Sequence, residues 1–125
     1  PLNPKNTAMI KIYHNNRCGK SRCALQTLEK KTQQFEIVEY LKRPLSADEI
    51  RDLLRKLDKK PLEIIRTKEQ VFKENYQEKN LTDTEWIAAM VAHPILIERP
   101  IVVIGEKAWI ARDESALEQI KNFQQ

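Results

Sequence analysis

The stretch MIKIYHNNRCGKSRCALQTLEKK, residues 9–31, has the pattern of a strand, a polar turn and a helix. An apolar run over residues 9–14 is typical of a strand, and two asparagines interrupt it. From residue 21 to residue 31, apolar side chains recur at helical spacing. We therefore predict a strand that leads through a cysteine-containing turn into a helix.

The segments on either side of this stretch predict a mixed sheet. A second strand is predicted over residues 37–41, and two strands that flank one helix favour a parallel β-α-β unit. Further along, residues 101–104 form a β-branched run typical of a buried strand, and residues 109–110 belong to its antiparallel partner. Asp113 or Ser115 then begins a last helix.

The region between the two halves of this sheet is predicted to be helical. Two capping boxes, each a hydroxyl residue followed three positions later by glutamate, begin helices at Ser46 and Thr82. These helices extend to about Lys56 and His93, and a shorter one runs from Pro61 to Ile65. The charged segment over residues 67–80, just before the helix that begins at Thr82, is only weakly periodic, so we predict no regular element there.

The predicted order is strand, helix, strand, helical insertion, strand, strand and helix. This order predicts an α/β fold with a thioredoxin-like mixed sheet and a helical insertion over about residues 45–93 between its two halves. We expect a single domain over residues 9–125. Residues 1–8 lack periodicity and contain two prolines, so we expect a disordered extension or a cloning remnant there.

The composition argues against several functional classes. The 125 residues carry a net charge of +4 with bases and acids interleaved, so we expect no nucleic-acid partner. No apolar run approaches the roughly 18 residues of a membrane span, and no signal peptide is visible, so we expect a cytoplasmic protein without a membrane partner. Two cysteines are too few for a secreted disulfide scaffold, and no common zinc pattern is present. We also expect a monomer without a bound metal.

Cys18 lies in the turn between the first strand and the first helix, among cationic neighbours. A thiol at a helix N-terminus meets free N–H groups and the positive end of the helix dipole. Arg17, Lys20 and Arg22 add positive charge, and both effects lower a thiol pKa from about 8.5. The alternative is a buried structural cysteine, but the polar, turn-like flanks favour a reactive thiolate that can hold an oxyanion beside it.

The second cysteine and the first histidine carry weaker signals. Cys23 lies within the predicted helix, where we interpret it as a small core-facing side chain; the alternative is a resolving thiol. About 7.5 Å of helical rise separates it from Cys18, beyond disulfide reach without backbone movement. His14 ends the first strand, either as a hydrogen-bonded edge residue or as a charge that tunes Cys18. In a thioredoxin-like layout, Arg99 and Pro100 face the nucleophile turn.

Three segments resemble those of one family, the glutaredoxin-linked arsenate reductases. They are residues 12–15, 18–22 and 93–103, which read IYHN, CGKSR and HPILIERPIVV. The combination in this order is specific, and the resemblance spans about residues 9–123. It implies a thioredoxin fold and the reduction of arsenate by one nucleophilic cysteine.

By position, the resemblance assigns roles to individual residues. Cys18 would be the nucleophile, and His14 would modulate it. Three arginines would bind the tetrahedral oxyanion through charge-assisted hydrogen bonds, and three further residues would support the site. The arginines are Arg66, Arg99 and Arg112, and the supporting residues are Gly19, Ser21 and Pro100, the last in a cis peptide bond.

The resemblance also implies the reaction partners. The thiolate would attack arsenate, glutathione would reduce the adduct, and glutaredoxin would resolve the mixed disulfide, so no bound cofactor is required. The sequence departs from the family pattern at Arg17, where a small residue is common, and at Cys23, where a polar residue is usual. The departure at Cys23 leaves open some self-resolution by this second thiol or a different thiol donor.

Two other functions are open at this point. Relatives with this fold bind RNA polymerase as redox-responsive transcription regulators, but they use a C-x-x-C pair that this sequence lacks. A glutathione-dependent thiol oxidoreductase of the same fold that acts on another substrate also fits Cys18. Loss of arsenate binding on replacement of Arg99 would separate the arsenate reductase from both alternatives.

Overall fold

The computed structural model describes residues 10–32 and 34–123, which divide into two compact units. One is the helical unit, Tyr40–Glu98, and the other, the sheet unit, contains the described residues on both sides of it. The predicted extension over residues 1–8 lies outside the described residues. The single domain over residues 9–125 stays a prediction.

The sheet unit contains a four-stranded mixed sheet. Its strands are β1 (Ile10–Tyr13), β2 (Glu36–Val38), β3 (Ile101–Ile104) and β4 (Lys107–Ile110), in the order β2-β1-β3-β4. β1 pairs in parallel with β2 and antiparallel with β3, and β3 pairs antiparallel with β4. Parallel neighbours need a crossover, which helix α1 (Gly19–Lys31) provides. The sheet and the helical segment between its halves confirm the predicted fold class.

One face of this sheet carries the core of the sheet unit. Side chains alternate between faces along a strand, so every second residue of β1 and β3 points to this core. Helices α1 and α5 (Glu114–Asn122) cover it. The buried residues of the core are Ile10, Ile12, Ala24, Leu28, Val102, Ile104, Trp109, Ala111, Ala116 and Ile120. This packing anchors β1 and α1, and with them the turn that joins the two elements.

Replacing Ile12 by alanine is expected to lower the free energy of unfolding by about 2–5 kcal/mol, because a large-to-small change in a packed core also leaves a cavity. Ile12 is 0% exposed, whereas its register partner Ile37 is 46% exposed. Ile37→Ala is therefore a matched control, with an expected change below about 1 kcal/mol. Urea unfolding followed by circular dichroism measures both variants. Equal losses in the two variants would contradict the core position of Ile12.

The helical unit contains three helices, α2 (Ala47–Leu57), α3 (Gln70–Asn75) and α4 (Asp83–Ala92), with 3-10 turns over Pro61–Ile64 and Pro94–Leu96. Helix α2 and both 3-10 turns pack against α4. None of the helices in the described part of the chain is long and apolar enough to cross a membrane.

Both predicted capping boxes are present. The Ser46 hydroxyl accepts from the Glu49 N–H at 3.1 Å, and the Glu49 carboxylate accepts from the Ser46 N–H at 3.1 Å. Thr82 and Glu85 make the same reciprocal pair at 3.2 and 2.9 Å. Each box satisfies two N–H groups that a helix start leaves unpaired, so α2 and α4 begin where the sequence predicts.

The second strand is shorter than predicted. It ends at Val38 rather than residue 41, because the chain turns at Tyr40. The Tyr40 side chain is fully buried, and its hydroxyl donates to the Ile97 carbonyl oxygen at 3.3 Å. The chain therefore leaves the sheet to bury an aromatic ring in the helical unit.

Helix α3 was not predicted from the sequence. It contains no buried residue, which explains the weak periodicity of its sequence. Phe72 stacks on Trp86 of α4 with ring centroids 5.9 Å apart, and Tyr76 lies 6.0 Å from the same ring. Aromatic packing against α4, the next helix, accounts for a short helix whose own sequence pattern predicts it poorly.

Candidate active site

Cys18 is the N-cap residue of α1. Its N–H donates to the Asn15 carbonyl oxygen at 3.0 Å, and its carbonyl oxygen accepts from the Arg22 N–H at 3.1 Å. The helix begins at Gly19, two residues before the predicted start. The half-buried thiol therefore lies at the positive end of the α1 dipole, where free N–H groups favour a negative charge.

The surroundings of Cys18 lower its pKa to about 7. Burial raises this pKa, but hydrogen bonds to the sulfur outweigh burial. The donors are the backbone N–H groups of Ser21 and Lys20 and the side chains of Arg99 and Arg112. Near pH 7 about half of the protein therefore carries the nucleophilic thiolate. The direction of this shift confirms the prediction.

The arginines that contact the thiol come from far along the chain rather than from its neighbours in sequence. Arg112 donates from Nη1 to Cys18 Sγ at 3.8 Å and to the Arg99 carbonyl oxygen at 2.7 Å. Arg22, by contrast, donates to the Asn16 carbonyl oxygen at 3.1 Å. Within the sheet unit, Cys18, Arg99 and Arg112 thus form one cluster.

Arg99 presents further donors beside the thiol. Its Nε and Nη1 atoms are buried and have no hydrogen-bond partner among the described residues. The peptide bond to Pro100 is cis, as the resemblance implies. A guanidinium with one donor on Cys18 and two unpaired donors has the chemistry of an oxyanion-binding group.

Arg66 lies in the helical unit between two carboxylates. Its Nε donates to Glu69 at 3.1 Å, and its Nη1 donates to Glu98 at 2.9 Å. Its backbone N–H donates to the Leu96 carbonyl oxygen at 2.7 Å, beside an antiparallel bridge between the two segments. The predicted role of Arg66 as an oxyanion ligand stays a prediction.

The predicted supporting residues differ in how closely they touch the site. Ser21 is buried, and its hydroxyl accepts from the Asn15 N–H at 3.3 Å while its own N–H reaches the thiol. Gly19 is exposed, and an added Cβ would meet Arg22 Nη2 at 3.7 Å, an ordinary contact. The turn around Cys18 therefore depends on Ser21, whereas a side chain has room at Gly19.

His14 is buried rather than exposed at the edge of the sheet. Its Nε2 lies 2.8 Å from Asn16 Oδ1, and its Nδ1 is buried without a hydrogen-bond partner among the described residues. Asn16 Nδ2 in turn donates to Glu39 Oε1 at 3.3 Å. Asn16 and Glu39 were not predicted as site residues, and the only sequence signal for them is their position after the ends of two neighbouring strands.

The prediction that Cys23 faces the core is wrong. Cys23 is exposed, because the residues of α1 that point to the core are Ser21, Ala24 and Leu28, at spacings of three and four. Among residues 10–32 and 34–123, no three side chains of the metal-binding types come together as a cation site.

Comparisons with known proteins identify the family. Residues 13–120 match the family model described as "ArsC family". The chain is 44% identical over 108 residues to the uncharacterized protein YfgD of Escherichia coli K12, which covers 85% of this chain and 91% of that protein. It is 37% identical over 113 residues to an arsenate reductase of Neisseria meningitidis serogroup A, with coverage of 89% and 97%.

A solved structure is also similar to this chain along nearly its whole length. The arsenate reductase from Vibrio cholerae superposes with a TM-score of 0.79 and 37% identity, over 92% of this chain and 97% of that one. The residues matched by the family model include the turn with Cys18, helix α1, and the segment with Arg99 and Arg112. The predicted resemblance is confirmed at the level of the family, and the chain belongs to the ArsC family.

Proposed function

We propose that this protein reduces arsenate to arsenite through Cys18, with glutathione and glutaredoxin as reductants. The observation that carries the proposal is a thiol with a pKa of about 7 that is hydrogen-bonded by Arg99 and Arg112. The similar proteins from Neisseria meningitidis and Vibrio cholerae that are named arsenate reductases support arsenate as the substrate.

The cluster around Cys18 supplies the charge that a tetrahedral oxyanion needs. Two donors of Arg99 are unpaired among the described residues, and Arg112 donates beside the sulfur. Charge-assisted bonds from guanidinium groups bind the oxygens and stabilise negative charge that develops during attack. Arg66 is proposed as the third ligand, because its bonds to Glu69 and Glu98 use only two of the five N–H donors of a guanidinium. Because Cys18, Arg99 and Arg112 belong to one chain, we also propose that a monomer suffices.

The first proposed step forms a thiol-arsenate adduct. The Cys18 thiolate attacks arsenic, a sulfur–arsenic bond forms, and one arsenate oxygen leaves as water after it takes up protons. Arsenic keeps its oxidation state in this step. The α1 N-terminus and the two arginines lower the barrier because they hold the thiolate and the oxyanion together despite their like charges.

The second and third proposed steps reduce arsenic and regenerate the thiol. A glutathione thiolate attacks Cys18 Sγ, the sulfur–arsenic bond breaks, and its electron pair stays on arsenic, which leaves as arsenite. The disulfide between Cys18 and glutathione is then reduced by a glutaredoxin thiolate, which takes the glutathione. Such thiol chemistry persists in a reducing cytoplasm, the location we propose.

Turnover with defined thiol donors tests this proposal. Arsenate, glutathione, glutaredoxin and NADPH with glutathione reductase are expected to give steady NADPH oxidation that depends on arsenate. Leaving out glutaredoxin is expected to stop turnover after the mixed disulfide forms, and mass spectrometry would then find one glutathione on Cys18.

A thioredoxin and thioredoxin reductase mixture is the control for the donor. Arsenate-dependent turnover with thioredoxin alone would keep the substrate and overturn the glutathione assignment. No turnover with either donor, while Cys18 is still alkylated readily near neutral pH, would overturn arsenate as the substrate and favour a thiol oxidoreductase that acts on another compound.

A further inference from the structure

Three side chains of the sheet unit form a hydrogen-bonded network that the proposed reaction does not use. It runs from the buried ring of His14, through the side-chain amide of Asn16, to the carboxylate of Glu39. The ring-to-amide distance is 2.8 Å and the amide-to-carboxylate distance is 3.3 Å. This network begins at His14, four positions before the nucleophile Cys18, and ends at the Glu39 carboxylate.

The pairing of β1 with β2 fixes the positions of His14 and Glu39, the two ends of this network. Tyr13 and Val38 are partners in the parallel β1-β2 pair, and the His14 N–H donates to the Val38 carbonyl oxygen at 2.9 Å. Glu39 follows Val38 directly, so its position is tied to that of His14. The carbonyl oxygen of Asn16 accepts from the Arg22 side chain at 3.1 Å, which anchors the middle of the network.

The chemistry of the three groups determines which ring nitrogen of His14 carries a proton. An ionised carboxylate only accepts hydrogen bonds, so the amide nitrogen of Asn16 must face Glu39. The amide oxygen therefore faces His14, and because this oxygen also only accepts, Nε2 of the ring must donate. In the neutral ring Nδ1 then has a lone pair, and it is this atom that is buried without a partner among the described residues.

We propose that Asn16 and Glu39 are positioning residues that keep neutral His14 protonated on Nε2, so that the lone pair of the ring lies on the buried Nδ1. The inference deepens the proposed function, on which its catalytic relevance rests, because it assigns the donor and acceptor nitrogens of the histidine that the family resemblance pairs with Cys18. The tautomer itself is a property of the resting protein and does not depend on arsenate.

Nitrogen-15 NMR of protein labelled at histidine tests the tautomer. The chain has two histidines, so a His93→Gln variant assigns the His14 signals. The pH is raised until the two ring-nitrogen resonances stop changing, so that the spectrum reports the neutral ring. We expect a one-bond proton splitting at Nε2 and an unprotonated resonance at Nδ1. A proton on Nδ1 in the wild-type protein would overturn the inference.

Variants of Asn16 separate positioning from a general structural role. Asn16→Ala is expected to remove the acceptor, so that the splitting at Nε2 is lost and the two nitrogen resonances move towards each other. Asn16→Asp combined with Glu39→Gln exchanges the donor and the acceptor between positions 16 and 39, keeps an acceptor towards the ring, and is expected to restore the wild-type pattern. An Asn16→Ala spectrum identical to wild type, or a double-variant spectrum like that of alanine, would each contradict the proposal.

The two glutamates of the β2 region provide a matched pair of variants. Glu39→Gln replaces the acceptor-only carboxylate by an amide that can also donate. The Asn16 amide can then rotate by 180°, so we expect a mixture of the two His14 tautomers. Glu36→Gln makes the same change three residues earlier, where the carboxylate lies 4.0 Å from Lys11, and should leave His14 unchanged. A wild-type spectrum for Glu39→Gln would remove Glu39 from the proposal. All these readouts stand even if the protein fails to turn over arsenate.

Discussion

Replacing Cys18 by serine is expected to abolish arsenate turnover, because a serine hydroxyl stays protonated near neutral pH and cannot form the sulfur–arsenic bond. The other cysteine is a matched control: Cys23 is exposed on α1, and Cys23→Ser is expected to keep wild-type turnover. The NADPH-coupled assay with glutathione and glutaredoxin measures both variants. Lost turnover in Cys23→Ser would show that the second thiol takes part.

The pH dependence of alkylation compares the Cys18→Ser and Cys23→Ser variants without any arsenate. Because the pKa of Cys18 is about 7, its thiolate fraction rises with pH and reaches one half near that value. The rate of reaction with iodoacetamide should therefore rise about tenfold per pH unit below the midpoint and level off above it. This phase should be absent in Cys18→Ser and present in Cys23→Ser. A midpoint near 8.5 in the wild-type protein would contradict the described thiol environment.

Replacing Arg112 by methionine is expected to reduce kcat/KM for arsenate by about a hundred- to a thousandfold, the usual effect of removing one charge-stabilising donor. Arg112 donates to Cys18 Sγ and to the Arg99 carbonyl oxygen. Its loss therefore destabilises the thiolate and removes a hydrogen bond that holds Arg99 in place. The pKa of Cys18 should rise, because one of the groups that favour the thiolate is gone. Steady-state kinetics and the alkylation profile measure the two effects.

Two further variants control for charge and for general stability. Arg112→Lys keeps the charge but loses the planar fork, so we expect activity between those of wild type and methionine. Arg51→Met removes an exposed arginine of α2 whose pair with Asp48 spans 3.2 Å, and it should leave kcat/KM unchanged because surface pairs contribute little. Wild-type kcat/KM in Arg112→Met would remove this arginine from the oxyanion site.

Local signals predicted most of the elements of this protein. Capping boxes act over three residues, so Ser46 and Thr82 identify the starts of α2 and α4 from the sequence alone. The β-branched run of β3 is equally local. Helix α3 and the end of β2 escaped prediction because Phe72 packs on a residue of another helix and Tyr40 finds its partner 57 positions along the chain.

The sequence by itself determined most of the strands and helices and a cysteine at the N-terminus of α1, since these follow from patterns within a few residues. The tertiary structure decided which side chains meet that thiol. Arg112 lies 94 positions from Cys18, and only the β1-β3-β4 pairing brings it there. The orientation of Cys23, the carboxylates around Arg66 and the link from His14 to Glu39 likewise depend on packing between segments, which no local pattern encodes.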